Sequence, residues 1–295
     1  MTKKKLLLGL AMGVGLLAYS AVLVTGTKTA YKKDLRMQED KVAQVIEEMA
    51  ADASVSESES NFGTWFTKMD SDNQTKVIDA CIYYATKRSQ DISFSEEEIK
   101  LLENAKEGAG INNEKITDEE LKKRIDELKI DHLTVRHVNE SWFADVDYNY
   151  YLTQYADELT PGYSNLLEFY CEEKSDDYFY PSTGNLNLPV VEARLDKLYD
   201  MSQNPNNEDV YMFIDTAEKF YLAMYLGSYD ESYILKDGAI KDEVLASYKA
   251  YDAKNPYVKQ LLSEVVSLYE SNDKMRTIEI SNKVNEFLGY TEEAE

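Results

Sequence analysis

The sequence predicts an all-α fold: an N-terminal transmembrane or signal-anchor helix, a stalk helix, then an irregular helical bundle or short α-solenoid of stacked helical hairpins. Three observations predict it. From Asp70 to Leu288 apolar residues recur three and four apart, the spacing that lines one face of a helix. Only 5 Pro and 12 Gly occur in 295 residues, too few for a turn-rich sandwich or barrel. The stretch Leu6–Val24, LLLGLAMGVGLLAYSAVLV, carries no charge and directly follows Lys3, Lys4 and Lys5.

As a helix, Leu6–Val24 would be about 28 Å long, close to the ~30 Å hydrocarbon core of a bilayer. The expectation is a single uncleaved span. The alternative is a cleaved signal peptide, with Gly26 as the cleavage candidate. Lys3, Lys4 and Lys5 favour a cytoplasmic N-terminus, whereas Lys28, Lys32, Lys33 and Arg36 argue the other way. The export-like start decides for a C-terminal body outside the cytoplasm. Gly9 and Gly13 form a G-x-x-x-G, read as the small residues ordinary in a span.

Four segments follow from these signals: residues 1–30 as anchor, 31–61 as stalk and linker, 62–140 as an N-terminal helical subdomain, and 141–295 as a Tyr-rich helical subdomain. Leu35, Val42 and Met49 recur every seven residues in the stalk, Tyr31–Ala51. DASVSESESN, Asp52–Asn61, is small, polar and acidic, which reads as a flexible linker. FGTWF, from Phe62, starts the core. Asp70 or Ser71 caps a helix to about Ser89, and Ser95 with Glu98 forms a capping box for the next, which Gly108 can end. Thr117 with Glu120 reads as a second box.

Further on, Tyr148, Tyr151, Leu152, Tyr155 and Leu159 make one stripe, which Pro161-Gly162 breaks; Leu166, Leu167, Tyr170 and Cys171 make the next. Val191, Leu195 and Leu198 follow. Val210, Ile214, Ala217, Tyr221 and Met224 come after the NPNN turn, and then Ile240, Val244, Tyr248 and Tyr251. Asn255-Pro256 is a cap with Pro in the first turn, ahead of Val258, Leu261, Leu262, Val265 and Tyr269. Ile280, Val284, Phe287 and Leu288 end at Gly289.

The formal net charge of −23 argues against nucleic acid and against flat binding to anionic lipid, and it permits divalent cations or a basic partner. Tyrosine is the outlier, 23 against 9 Phe and 2 Trp, and its apolar body with a polar tip suits half-buried helix faces and interfaces. His132 and His137 are the only histidines, and they stand five apart rather than on one helical face. Cys81 and Cys171 each fall on an apolar stripe, read as separate core thiols with a bridge as the alternative in an oxidising compartment.

Two short stretches carry a likeness to known calcium sites, and a third to a catalytic motif. KITDEEL, within Ala109–Leu121, resembles an EF-hand loop, with Glu120 at the position of the bidentate ligand. Ala109, Ile111 and Glu114 stand where that family has ligands and a glycine, so an ordinary capped helix is expected instead. DVDYN, Asp145–Asn149, opens like such a loop but has Tyr150 at the glycine position. NESWF, Asn139–Phe143, resembles the start of the lytic transglycosylase motif; its Gly-rich continuation is replaced by DVDYNYY. That resemblance implies Glu140 as the acid on a glycosidic oxygen, with Tyr148 or Tyr151 stacking on sugar.

No complete catalytic, cofactor or metal motif is present. The expectation is therefore a non-enzymatic, membrane-anchored, extracytoplasmic helical module of the cell envelope, held in the membrane through Leu6–Val24 and binding a protein or peptide partner. The alternatives are a glycan-cleaving enzyme using Glu140 and a cytoplasm-facing tethered adaptor.

Overall fold

The computed structural model describes residues 40–44, 47, 55–60, 62–108, 110–138, 141–175 and 185–290. They are predominantly helical, as the sequence predicts, and fall into two compact units, Met1–Ser175 and Asp176–Glu295. Among the described residues no helix is long and apolar enough to cross a membrane; Leu6–Val24 lies outside them.

Unit 1 is organised around α3 (Ser71–Gln90). Asp70 caps it by accepting from the Asn73 amide at 2.9 Å, and Lys87 and Arg88 in its last turn complement the helix dipole. Val77, Ile78, Cys81, Ile82 and Ala85 are buried together with Thr75 and Asp79, so α3 is enclosed well beyond one stripe. Ahead of it come α1 (Val55–Ser60) and α2 (Gly63–Phe66), where Phe62 stacks on Phe66 at 5.1 Å. Behind it, α4 (Glu96–Ala105) starts at the expected Ser95–Glu98 capping box. The turn pair β1 (Lys106–Glu107) and β2 (Gly110–Ile111) leads to α5 (Glu119–Ile130).

Next comes a departure from the helical expectation. Leu133–Val138 (β3) and Ser141–Val146 (β4) form an antiparallel hairpin, with Leu133 opposite Val146, Val135 opposite Ala144 and His137 opposite Trp142. These six side chains are buried; along β3 they alternate with half-buried ones, the period-2 pattern of a strand, whereas in β4 Asp145 is buried as well. A lone hairpin is marginal in water; this one survives because β4 packs on α3 and β3 on α5. α6 (Tyr148–Gln154) and α7 (Pro161–Ser175) complete the unit.

Several expectations are corrected by this unit. The two compact units divide after Ser175, and residue 140 falls between the paired strands β3 and β4. Val55–Ser60 is not flexible linker but helix α1, with Val55 buried and its amide bonded to the Asp131 carboxylate at 3.2 Å. α5 is capped by Asp118, which accepts from the Leu121 amide at 2.8 Å, rather than by Thr117 with Glu120. The break expected at Pro161-Gly162 is present, although α6 already ends at Gln154; Pro161 opens α7, where Thr160 accepts from the Tyr163 amide.

Unit 2 follows the helical rules closely. α8 (Leu188–Gln203) pairs with α9 (Tyr211–Tyr225), α10 (Asp242–Ala250) with α11 (Pro256–Ser271), and α11 with α12 (Ile278–Leu288). Asn255 caps α11 with Pro256 behind it, and Gly289 stops α12 at φ 77°, both as read from sequence. Strands β5 (Leu235–Lys236) and β6 (Ala239–Ile240) are joined by Asp237-Gly238, both at positive φ, the conformation a two-residue hairpin turn requires. The largely enclosed Arg276 side chain donates to the Leu226 carbonyl at 2.8 Å, satisfying an orphan acceptor at the end of α9.

Candidate functional site: a buried carboxylate, histidine and tyrosine cluster

One polar constellation in unit 1 joins α1, the turn after α5, and α6. Glu59 Oε2 lies 2.5 Å from His132 Nε2 and accepts from the Tyr150 hydroxyl at 3.2 Å. The His132 ring stacks on Tyr150 at 3.6 Å and meets Tyr151 edge-on at 5.7 Å. His132 itself sits at φ 54°, the left-handed conformation that ends α5 and turns the chain into β3. Its amide donates to the Lys129 carbonyl, and its carbonyl accepts from the Asp147 amide at 2.8 Å, so the backbone is fixed from both sides. Asp131, next in line, pairs with Arg88 at 2.7 Å and holds the Val55 amide.

Beneath this cluster lies Cys81, fully buried on α3. Burial pushes its thiol well above the usual range, and the charges of Glu59 and Asp79 push it the same way. A thiol held protonated is not a nucleophile. Burial and Glu59 likewise push the Tyr150 hydroxyl up to about 12. Among the described residues, two buried atoms of this cluster have no hydrogen-bond partner: Glu59 Oε1 and the Tyr151 hydroxyl oxygen. The arrangement is therefore suited to holding α1 in place.

A second buried set lies on the other side of β4. Asp145 accepts from Arg136 at 3.0 Å and from Lys174, while Arg136 also donates to the Lys174 carbonyl. Burial alone would raise the Asp145 carboxyl, but Lys174 and Arg136 outweigh it and hold the group below the usual carboxylate range. The Lys174 ammonium also lies 5.3 Å from the centre of the Tyr148 ring. Asp79 contrasts with this. It accepts from the Tyr163 hydroxyl at 2.7 Å, and burial pushes its carboxyl up to about 6.

The residues singled out from sequence are distributed as follows. Glu140 and Asn139 lie outside the described residues, and Ser141, Trp142 and Phe143 belong to strand β4. Tyr148 and Tyr151 are buried, so neither offers a face to a sugar. His137 lies 3.3 Å from Glu103, which also accepts from the Trp142 indole at 2.6 Å. In the calcium-like stretches, Asp145 is consumed by its two cations, Asp147 caps α6 and Asp118 caps α5. Among the described residues no group of three or more His, Cys, Asp or Glu is placed to hold a metal ion. Cys81 and Cys171 are free thiols.

Sequence reasoning missed Glu59 and Asp79, and singled out Asp145 only as the start of a calcium-like loop rather than as the partner of Arg136 and Lys174. The one signal for Glu59 was its place four residues after Val55, one helical turn on the same face. No protein-family model matches the chain, and neither a curated protein nor a solved structure matches it.

Proposed function

We propose that this chain is a membrane-anchored, extracytoplasmic helical protein that binds a protein or peptide partner through unit 2, with Leu6–Val24 as its anchor. In this reading unit 2 is a short α-solenoid of two stacked hairpins and a terminal helix. The stacking is supported by bonds from the second hairpin to the first. Tyr225 bridges Glu192 at 2.6 Å and Ser247 at 2.9 Å, Tyr251 donates to Asp196 at 2.8 Å, and Asn255 donates to Glu218 at 2.8 Å.

The observation that carries the binding reading is an exposed aromatic patch. Tyr211 and Met212 open α9 and are 50% and 63% exposed, and Tyr290, just past α12, is 52% exposed. Tyr211 and Tyr290 both lie within electrostatic reach of Lys219, which pairs with Asp215 at 2.8 Å. Scattered exposed apolar residues need no explanation, but Tyr and Met are residue types enriched at interfaces.

Two experiments test the reading. In cells expressing the full chain, the protein should stay with membranes through alkaline carbonate and be degraded by external protease. Release by carbonate, or full protection from protease, overturns the anchor or its orientation respectively. A photo-crosslinking residue at Tyr211 should give a discrete adduct that the same residue at Asp237 does not; equal patterns remove the patch as an interface.

A further inference from the structure

We propose that α1 is a releasable strap, which lifts from unit 1 while the rest of the unit stays folded and uncovers Cys81. A six-residue helix has no independent stability, so α1 persists only through what it touches. Those contacts include partners distant in sequence: the Val55 side chain is buried, the Val55 amide bonds to Asp131, and Glu59 meets His132 and Tyr150.

The docked state also carries an uncompensated cost. Glu59 Oε1 and the Tyr151 hydroxyl oxygen are buried without a hydrogen-bond partner, and lifting α1 returns the carboxylate to water. Opening breaks the Glu59 contacts with His132 and Tyr150 and the Val55 amide bond to Asp131 and exposes Val55, but it returns the Glu59 side chain to water. Local openings of this kind draw on the least stable part of a fold. α1 packs against α3, the helix that carries Cys81, and the Cys81 thiol feels the Glu59 charge.

The test uses full-length protein in detergent micelles, carrying Cys171→Ser so that Cys81 is the only thiol. Its reaction with a disulfide reagent is followed over a range of urea below the unfolding transition, while tryptophan fluorescence reports unit 1. Cys81 should react through an opening with a urea slope below about half the global value, since little surface is exposed. Glu59→Ala should speed that reaction by about tenfold or more without removing the fluorescence transition. Val55→Ser, a milder change, decides if Glu59→Ala does not fold, and should speed it in the same direction. The proposal is overturned if Cys81 reacts with the global slope in all forms. A rate that neither substitution changes overturns it equally.

Discussion

Units 1 and 2 both bury polar groups, but they do so in different ways. Unit 1 places carboxylates deep among rings: Asp79 against a tyrosine, Glu59 with one oxygen unpartnered, Asp145 between two cations. Unit 2 keeps its carboxylates at half-buried helix faces and meets them with tyrosine hydroxyls, as in Glu192 with Tyr225 and Asp196 with Tyr251. The first arrangement depends on a few costly groups joined across long stretches of chain. The second repeats a modest bond along stacked helices. The difference teaches where the molecule is brittle: the loss of one partner should matter far more in unit 1.

The largest expected effect is at Asp145. Asp145→Ala leaves the Arg136 and Lys174 cations partly buried without their shared anion, and should destabilise unit 1 by about 3–5 kcal/mol. Both tryptophans, Trp65 and Trp142, belong to unit 1, so the urea transition followed by fluorescence measures this. A loss below about 1 kcal/mol would place Asp145 with the modest contacts of unit 2 and break the comparison.

Asp79 sharpens it through pH. Its folded carboxyl is raised from 3.8 to about 6, so the folded state favours the protonated form. That contribution is fully present below about pH 4 and is lost as pH rises through about 6. Asp79→Asn removes the dependence. Relative to wild type, the variant should therefore gain about 2–3 kcal/mol between pH 4 and pH 8, because each tenfold change in proton affinity on folding is worth about 1.4 kcal/mol. Urea titrations at the two pH values measure the gain, and a constant difference would show Asp79 to be an ordinary carboxylate.

The smallest effect belongs to unit 2. Tyr251→Phe removes hydrogen bonds to Asp196 and to the Glu192 carbonyl. Both acceptors are near water, so the loss should be about 1 kcal/mol in the transition followed by circular dichroism. A loss as large as that at Asp145 would erase the contrast between the units.

The same contrast explains what the sequence revealed. Local signals were legible: the Asp70 cap, the Ser95–Glu98 box, Asn255-Pro256, Gly289, and apolar stripes such as Val258, Leu261, Leu262, Val265 and Tyr269, all buried as read. Unit 2 consists almost wholly of such signals. The cluster of unit 1 was not legible, because Glu59 and His132 are 73 positions apart and Asp79 and Tyr163 are 84. No local spacing announces such pairs. Val55–Ser60 looked like linker because its composition is polar, while Val55 and Glu59, one turn apart, are among the residues that dock it. The β3–β4 hairpin was overlooked for another reason. Its alternating run LTVRHV is short and stands among helical stripes, and period 2 had to be sought there directly.

That α1 is docked through its buried carboxylate is tested most directly by a double-mutant cycle on Glu59 and His132. Unfolding in urea is read by tryptophan fluorescence for Glu59→Ala, His132→Ala and the pair. The backbone cost of the left-handed position is common to both arms of the cycle and cancels. A coupling of about 1–3 kcal/mol between the two side chains is expected. A coupling within error of zero, with each single change additive, would contradict the docking and return residues 55–60 to the status of a linker.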